Sequence, residues 1–150
     1  MKVLSLFIKR KKGGKVEKIE EGQLKEGHGL VSNVNGGGSR EISIATLRVR
    51  KYLEDKSLKG ICSYRFYENI TIGGLNVEEL KLGQRIIIGD TILEITSIGK
   101  KCFPECNLFI SNNLCPLTKD VLFTKIIRGG FIKIGDRVNL MEPTDFIWVR

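Results

Sequence analysis

The chain has 150 residues, 41% hydrophobic and 28% charged, a balance that suits one globular domain and excludes a disordered or low-complexity chain. Its longest apolar runs, such as Ile86–Ile88, fall far short of the ~20 residues a membrane helix needs, so no membrane partner is expected. The net charge of +8 suits an anionic partner, either a phosphorylated cofactor or nucleic acid, without choosing between them.

The chain opens MKVLSLFIKRKKGG. Alternating Val3, Leu4, Leu6 and Ile8 predict a strand. The basic run Lys9–Lys12 before Gly13–Gly14 reads either as a solvated hairpin tip or as a surface that attracts anions. A secretory signal would need a longer apolar region and a small-residue cleavage site, so a cytoplasmic protein is expected. Further turn signals follow at Gly36–Gly38, Gly73–Gly74, Gly89–Asp90, Gly129–Gly130 and Gly135–Asp136. Between them lie β-branched runs, among them Glu41–Ile44, Arg85–Ile88, Ile92–Ile98 and Phe131–Ile134. Short strands at this spacing predict a mainly β fold, a small closed or partly open β-barrel. RIIIGDTILEITSIG reads as a hairpin whose Gly89–Asp90 turn supplies positive φ, and FIKIGDRVNLM repeats that local pattern. Helical signal is limited to a few short peripheral pieces. Ala45–Glu54 brings Leu47, Val49 and Leu53 together, Asn76–Leu80 suits one turn, and Pro116–Lys125 could start with Pro at its first position. The apolar tail with Phe146, Ile147 and Trp148 would dock on the barrel or meet a partner. No linker divides residues 1–150, which are expected to form a single domain.

Chemistry concentrates in GKKCFPECNLFISNNLCPL, which holds three of the four cysteines. Cys102 and Cys106 form a C-x3-C pair, and Cys115 follows nine residues later. Lys100 and Lys101 directly precede Cys102, and a neighbouring ammonium favours the thiolate that attacks sulfur, accepts a persulfide or binds metal. Spacing alone leaves three readings open: a sulfur-carrying or catalytic thiol at Cys102, a structural zinc on Cys102, Cys106 and Cys115 with a fourth ligand, or cysteines without a role. Reducing conditions in the cytosol argue against a disulfide framework. His28, the one histidine, reads as structural. Gly36–Gly38 is either a flexible loop or an oxyanion cradle followed by Ser39 and Arg40, and it is not a P-loop, because no GK[ST] follows. Glu68 and Asn69, in FYENITIGGL, are read on their own as a strand edge facing water.

Taken together, these segments resemble the MOSC family, named after the C-terminal domain of molybdenum cofactor sulfurases, and most closely its short stand-alone bacterial type. The resemblance rests on Ser39-Arg40-Glu41-Ile42-Ser43, Glu68-Asn69-Ile70-Thr71, Ile88-Gly89-Asp90, the strand leading to Cys102, Gly129-Gly130 before Ile134-Gly135-Asp136, and the G-K-x-C-x3-C pattern of Gly99 to Cys106 with Cys115 beyond. It runs from Val3 to about Met141 and implies a barrel of the MOSC type. It further implies that Cys102 bears sulfur, with Lys100 favouring its thiolate and Cys106 and Cys115 resolving or relaying the persulfide. A pyridoxal-phosphate-dependent cysteine desulfurase would donate the sulfur, and pyridoxal phosphate would belong to that donor and not to this chain. The molybdenum cofactor (molybdopterin), or a molybdenum enzyme holding it, would accept it. Arg40, Arg65 and Arg128 would suit the anionic groups of the pterin, and Glu68 and Asn69 would shape its pocket. Relatives often carry Asp and His where Asn33 and Asn35 stand here; amides hydrogen-bond but carry neither a proton nor a carboxylate charge at neutral pH, which leaves binding without turnover open.

Two other classes compete: a non-enzymatic module with structural zinc, and a small basic barrel for nucleic acid. No strand interleaves aromatic and basic residues as base-stacking surfaces do, which argues against nucleic acid.

Overall fold

The computed structural model describes residues 1–34, 41–54, 66–99 and 119–141. Asn35, Arg40, Arg65, Lys100, Cys102, Cys106 and Cys115 lie outside the described residues, as do the glycine triplet and the apolar tail. The described chain is mainly β: β1 (Lys2–Lys9), β2 (Val16–Ile19), β3 (Glu21–Lys25), β4 (Gly29–Leu30), β5 (Ile42–Thr46), α1 (Leu47–Glu54), β6 (Ile70–Gly73), β7 (Arg85–Ile88), β8 (Thr91–Ile98), β9 (Val121–Arg128), β10 (Gly130–Lys133) and β11 (Val138–Met141).

Eight strands form one curved sheet in the order β11-β7-β8-β9-β5-β6-β1-β2, and β10-β3-β4 form a small second sheet. The large sheet is a partly open barrel. Its edges approach where Val3 N–H donates to the Asp136 carbonyl (2.9 Å), Gly135 N–H to Val3 (2.8 Å) and Val138 N–H to Met1 (3.0 Å). Period-two alternation sends Leu6, Ile8, Ile42, Ile44, Ile70, Ile72, Ile86, Ile88, Leu93 and Ile95 into one apolar core. A register shift between Val3 and Ser5 on β1 breaks that alternation, and Leu4 stays exposed.

The β5–β6 pair is parallel, so the chain must cross over, and α1 begins that crossover. Thr46 caps the helix, its Oγ1 accepting from Val49 N–H at 3.4 Å. The helix is shorter than the Ala45–Glu54 span suggests, because Ala45 and Thr46 belong to β5. Val49 and Leu53, one turn apart, pack on Ala45, Val121 and Phe123 outside the barrel. Leu47 is exposed.

The Gly89–Asp90 hairpin is as expected. Ile88 stands opposite Thr91, Gly89 has φ +56, and Thr91 Oγ1 donates to the Ile88 carbonyl at 2.7 Å. The single turn near Asn76 is a 3-10 turn over Val77–Glu79, capped by the Asn76 side chain. Two expectations are corrected. Residues 121–125 are the start of β9 and not a helix, since VLFTKIIR is rich in β-branched and aromatic residues and pairs with strands on both sides. FIKIGDRVNLM is not a hairpin either: β10 pairs with β3, β11 pairs with β7, and the Gly135–Asp136 backbone between them bonds to Val3.

Candidate functional site

On β1, β5 and β6 the side chains that leave the barrel meet the inner side of α1. Ser5 Oγ donates to Thr71 Oγ1 (2.6 Å), which donates to Glu68 Oε2 (2.8 Å). The other carboxylate oxygen, Oε1, is 3.3 Å from Arg50 Nη2 on the helix. The Arg50 guanidinium lies 4.4 Å from the centroid of the Phe7 ring, a cation–π arrangement that covers its second side. Glu68 is fully buried, and the Arg50 side chain is 17% exposed. Neither Glu68 Oε1 nor Arg50 Nε has a hydrogen-bond partner among the described residues. Burial pushes the Glu68 carboxyl above its ordinary range, and the Arg50 charge only partly draws it back. The strand-edge reading of Glu68 as a water-facing group is therefore wrong.

Asn69 is a backbone clamp. Its Oδ1 accepts from Ser43 N–H (3.0 Å) and its Nδ2 donates to the Phe7 carbonyl (3.2 Å), which ties β5 to β1 across β6. Asn33 is buried as well. Its Oδ1 accepts from Lys9 N–H (2.9 Å) and from Tyr67 Oη (2.7 Å), fixing the chain on the approach to residues 35–40. A carbonyl oxygen taking two donors is work an amide performs without a proton or a charge.

Residues 100–118, with all three clustered cysteines, connect β8 to β9. The described ends of that connection are tied, Gly99 N–H donating to the Val121 carbonyl at 2.7 Å. They lie at the end of the barrel where β5 gives way to α1, since Thr46 N–H donates to Asp120 and Arg48 is 3.4 Å from Asp120. A cleft of about 380 Å3 opens there, lined by Thr46, Arg48, Gly74, Asn76, Glu78 and Asp120 among others. Arg128 is exposed, makes no ion pair among the described residues and sits at the far end of β9. A strand of that length spans roughly 25 Å, so Arg128 is not brought to the ends of the cysteine connection. It stands instead toward the strand end where Glu41 Oε2 accepts from Ile126 N–H (2.9 Å). His28 lies in the turn between β3 and β4. Among the described residues no three His, Cys, Asp or Glu side chains gather to hold a metal ion, and no helix is long and apolar enough to cross a membrane.

Sequence reading missed Arg50. It is 18 residues from Glu68 and belongs to a different element, and the one signal for it is a charged residue beside Val49 on the buried side of an amphipathic helix.

No family model matches the chain, and no curated protein matches its sequence. Solved structures do. YuaD protein from Bacillus subtilis superposes with a TM-score of 0.66 at 15% identity, over 93% of this chain and 94% of that one. YiiM from Geobacillus stearothermophilus gives 0.62 at 16% identity, covering 94% of this chain and 75% of its own. YiiM from Escherichia coli gives 0.61 at 15% identity, covering 95% and 70%. At such identities the likeness is one of fold. YuaD and YiiM are MOSC-domain proteins, and the fold of this chain is MOSC-like.

Proposed function

We propose that this chain is a sulfur carrier of the MOSC type, loaded as a persulfide on Cys102 and serving a metal–sulfur target, the molybdenum cofactor or an enzyme that holds it. The observation that supports this reading is where the described ends of the connection between β8 and β9 lie in a MOSC-like fold. The connection joins two long paired strands whose ends are tied to each other, beside a polar cleft of about 380 Å3.

In the loading step the Cys102 thiolate attacks the outer sulfur of a persulfide on a cysteine desulfurase. The donor's S–S bond breaks, the donor cysteine leaves as a thiolate, and Cys102 holds the sulfur. Lys100 and Lys101 favour the attacking thiolate. In the delivery step Cys106 or Cys115 attacks Sγ of Cys102. The Cys102 S–S bond breaks, sulfide leaves for the target, and a protein disulfide remains for an external thiol to reduce. Arg40 and Arg65 are the guanidinium candidates for an oxyanion of the pterin target, whereas Arg128, exposed at the far end of β9, would reach only a part of the target remote from the sulfur. Glu68 and Asn69 act on the barrel wall rather than on the target: Glu68 holds α1 through Arg50, and Asn69 ties three strands.

The test is intact mass under non-reducing conditions, before and after incubation with a cysteine desulfurase and cysteine. Wild type is expected to gain one sulfur, ~32 Da, reversed by thiol and absent in Cys102→Ala. No gain, together with one zinc per chain that Cys102→Ala removes, would replace the carrier with a structural metal module.

A further inference from the structure

Positive charge is concentrated at one place. Residues 1–20 hold seven Lys and Arg against two Glu, a net +5 of the chain's +8. β1 and β2 fold this stretch into a hairpin whose tip is closed by Gly14 N–H donating to Lys11 (2.9 Å). Arg10 takes up Glu17 at 2.8 Å. Lys11, Lys12, Lys15 and Lys18 are all exposed, and none makes an ion pair among the described residues.

β2 is the last strand of the large sheet, and the state of its outer edge follows from β1. Phe7 donates its N–H to the Asn69 carbonyl (2.9 Å) and accepts from Asn69 Nδ2 (3.2 Å). Lys9 donates to Asn33 Oδ1 (2.9 Å) and accepts from Val34 N–H (2.6 Å). Phe7 and Lys9 thus use their backbone groups on the side away from β2, yet they stand opposite Lys18 and Val16. In an antiparallel ladder, opposite residues alternate between pairs that exchange both hydrogen bonds and pairs that exchange none. Phe7–Lys18 and Lys9–Val16 are pairs of the second kind. The N–H and C=O groups of Val16 and Lys18 therefore face outward. Both residues are exposed, and their four groups have no hydrogen-bond partner among the described residues.

We propose that this edge docks an extended acidic segment of a partner protein, which adds a strand beside β2 and is held by Lys11, Lys12, Lys15 and Lys18. The two donors and two acceptors match the alternating groups of an added strand. The surrounding ammonium groups select its charge. They also repel a second copy presenting the same basic edge, which keeps the open strand from pairing with itself. Nucleic acid is the poorer match. Of the rings on this flank, Phe7 is buried beneath the Arg50 guanidinium, and Tyr67 has the Lys9 ammonium 5.2 Å from its centroid on one face.

The probe is a fluorescent peptide of alternating Glu and Val, tested by anisotropy and by amide chemical shifts on isotope-labelled full chain. Shifts centred on Val16 and Lys18 are expected, with affinity falling about tenfold between about 50 and about 300 mM salt. Lys11→Glu, Lys12→Glu and Lys15→Glu combined should weaken binding at least about tenfold, while Lys81→Glu with Lys133→Glu leaves it unchanged. The same peptide with N-methylated backbone should fail to bind, which tests strand addition without altering the protein. Shifts centred elsewhere, equal binding by the N-methylated peptide, equal binding to the triple variant, tighter binding of a single-stranded oligonucleotide, or self-association that the peptide does not displace would each overturn the proposal.

Discussion

On β1, β5 and β6 the inward residues are Leu6, Ile8, Ile42, Ile44, Ile70 and Ile72, whereas the outward set includes Ser5, Phe7, Ser43, Asn69 and Thr71. The same strands thus present an apolar face to the barrel interior and a hydrogen-bonding face to α1. Both faces are buried, but by different physics. Inside, burial of hydrocarbon supplies the stability and shape complementarity refines it. Outside, a buried carboxylate and a guanidinium are held by their mutual ion pair, a longer 3.9 Å contact of Arg50 with the exposed Glu54, one hydroxyl chain and one aromatic face, and two polar atoms go without hydrogen bonds among the described residues. A mutation inside opens a cavity, and a mutation outside strands a charge.

The comparison is sharpest at Leu93, fully buried in the interior. Leu93→Ala is expected to cost about 3–4 kcal/mol in urea unfolding, equally at all pH values, because a cavity carries no proton. Arg50→Met should cost about 2–3 kcal/mol near neutral pH and less in acid, because Glu68 loses its counter-charge and takes up a proton instead. A loss as insensitive to pH as that of Leu93→Ala would erase the distinction. Glu68 itself gives the next test. Its pKa is raised, mainly by burial, so the protonated form is the one the fold prefers. The stability tied to that preference is full below the unfolded carboxylate range and declines as pH rises through the raised value. Wild type should therefore lose stability relative to Glu68→Gln across that window, and parallel pH profiles would contradict the buried-charge reading. The smallest effect belongs to the exposed pair. Arg10–Glu17 is shorter than Arg50–Glu68, 2.8 against 3.3 Å, yet Arg10→Gln should change stability by no more than about 0.5 kcal/mol, because solvent screens it.

The strands of the interior were legible in the sequence because β-branched runs such as Arg85–Ile88 between turn residues are a local signal, and so was the Gly89–Asp90 turn. What escaped was nonlocal. FIKIGDRVNLM carries the same turn chemistry as RIIIGDTILE, yet its two strands find partners in different sheets, and turn residues alone do not encode that choice. Pro116 at a first helical position suggested a helix through Lys125, but strand pairing of β9 on both flanks overrides local propensity. Glu68 and Asn69 stood out as residues, but their work did not. The partners of Glu68 are Arg50 on a helix and a hydroxyl chain reaching Ser5, and Asn69 bonds to Phe7, 62 positions away. The reading of Cys102 rests on sequence pattern and fold likeness, and the folded molecule adds the bond between Gly99 and Val121 that ties the described residues on either side of its segment.

The central claim concerns where sulfur goes after Cys102. The most direct measurement follows isotopically labelled sulfur from a desulfurase, through this chain, to a molybdenum enzyme supplied with sulfur-free cofactor, with wild type and Cys102→Ala compared. Label should reach the metal-bound sulfur with wild type and fall to the no-carrier level with Cys102→Ala. Label reaching the metal equally well with Cys102→Ala, or never leaving the donor when wild type is present, would contradict sulfur transfer through this thiol.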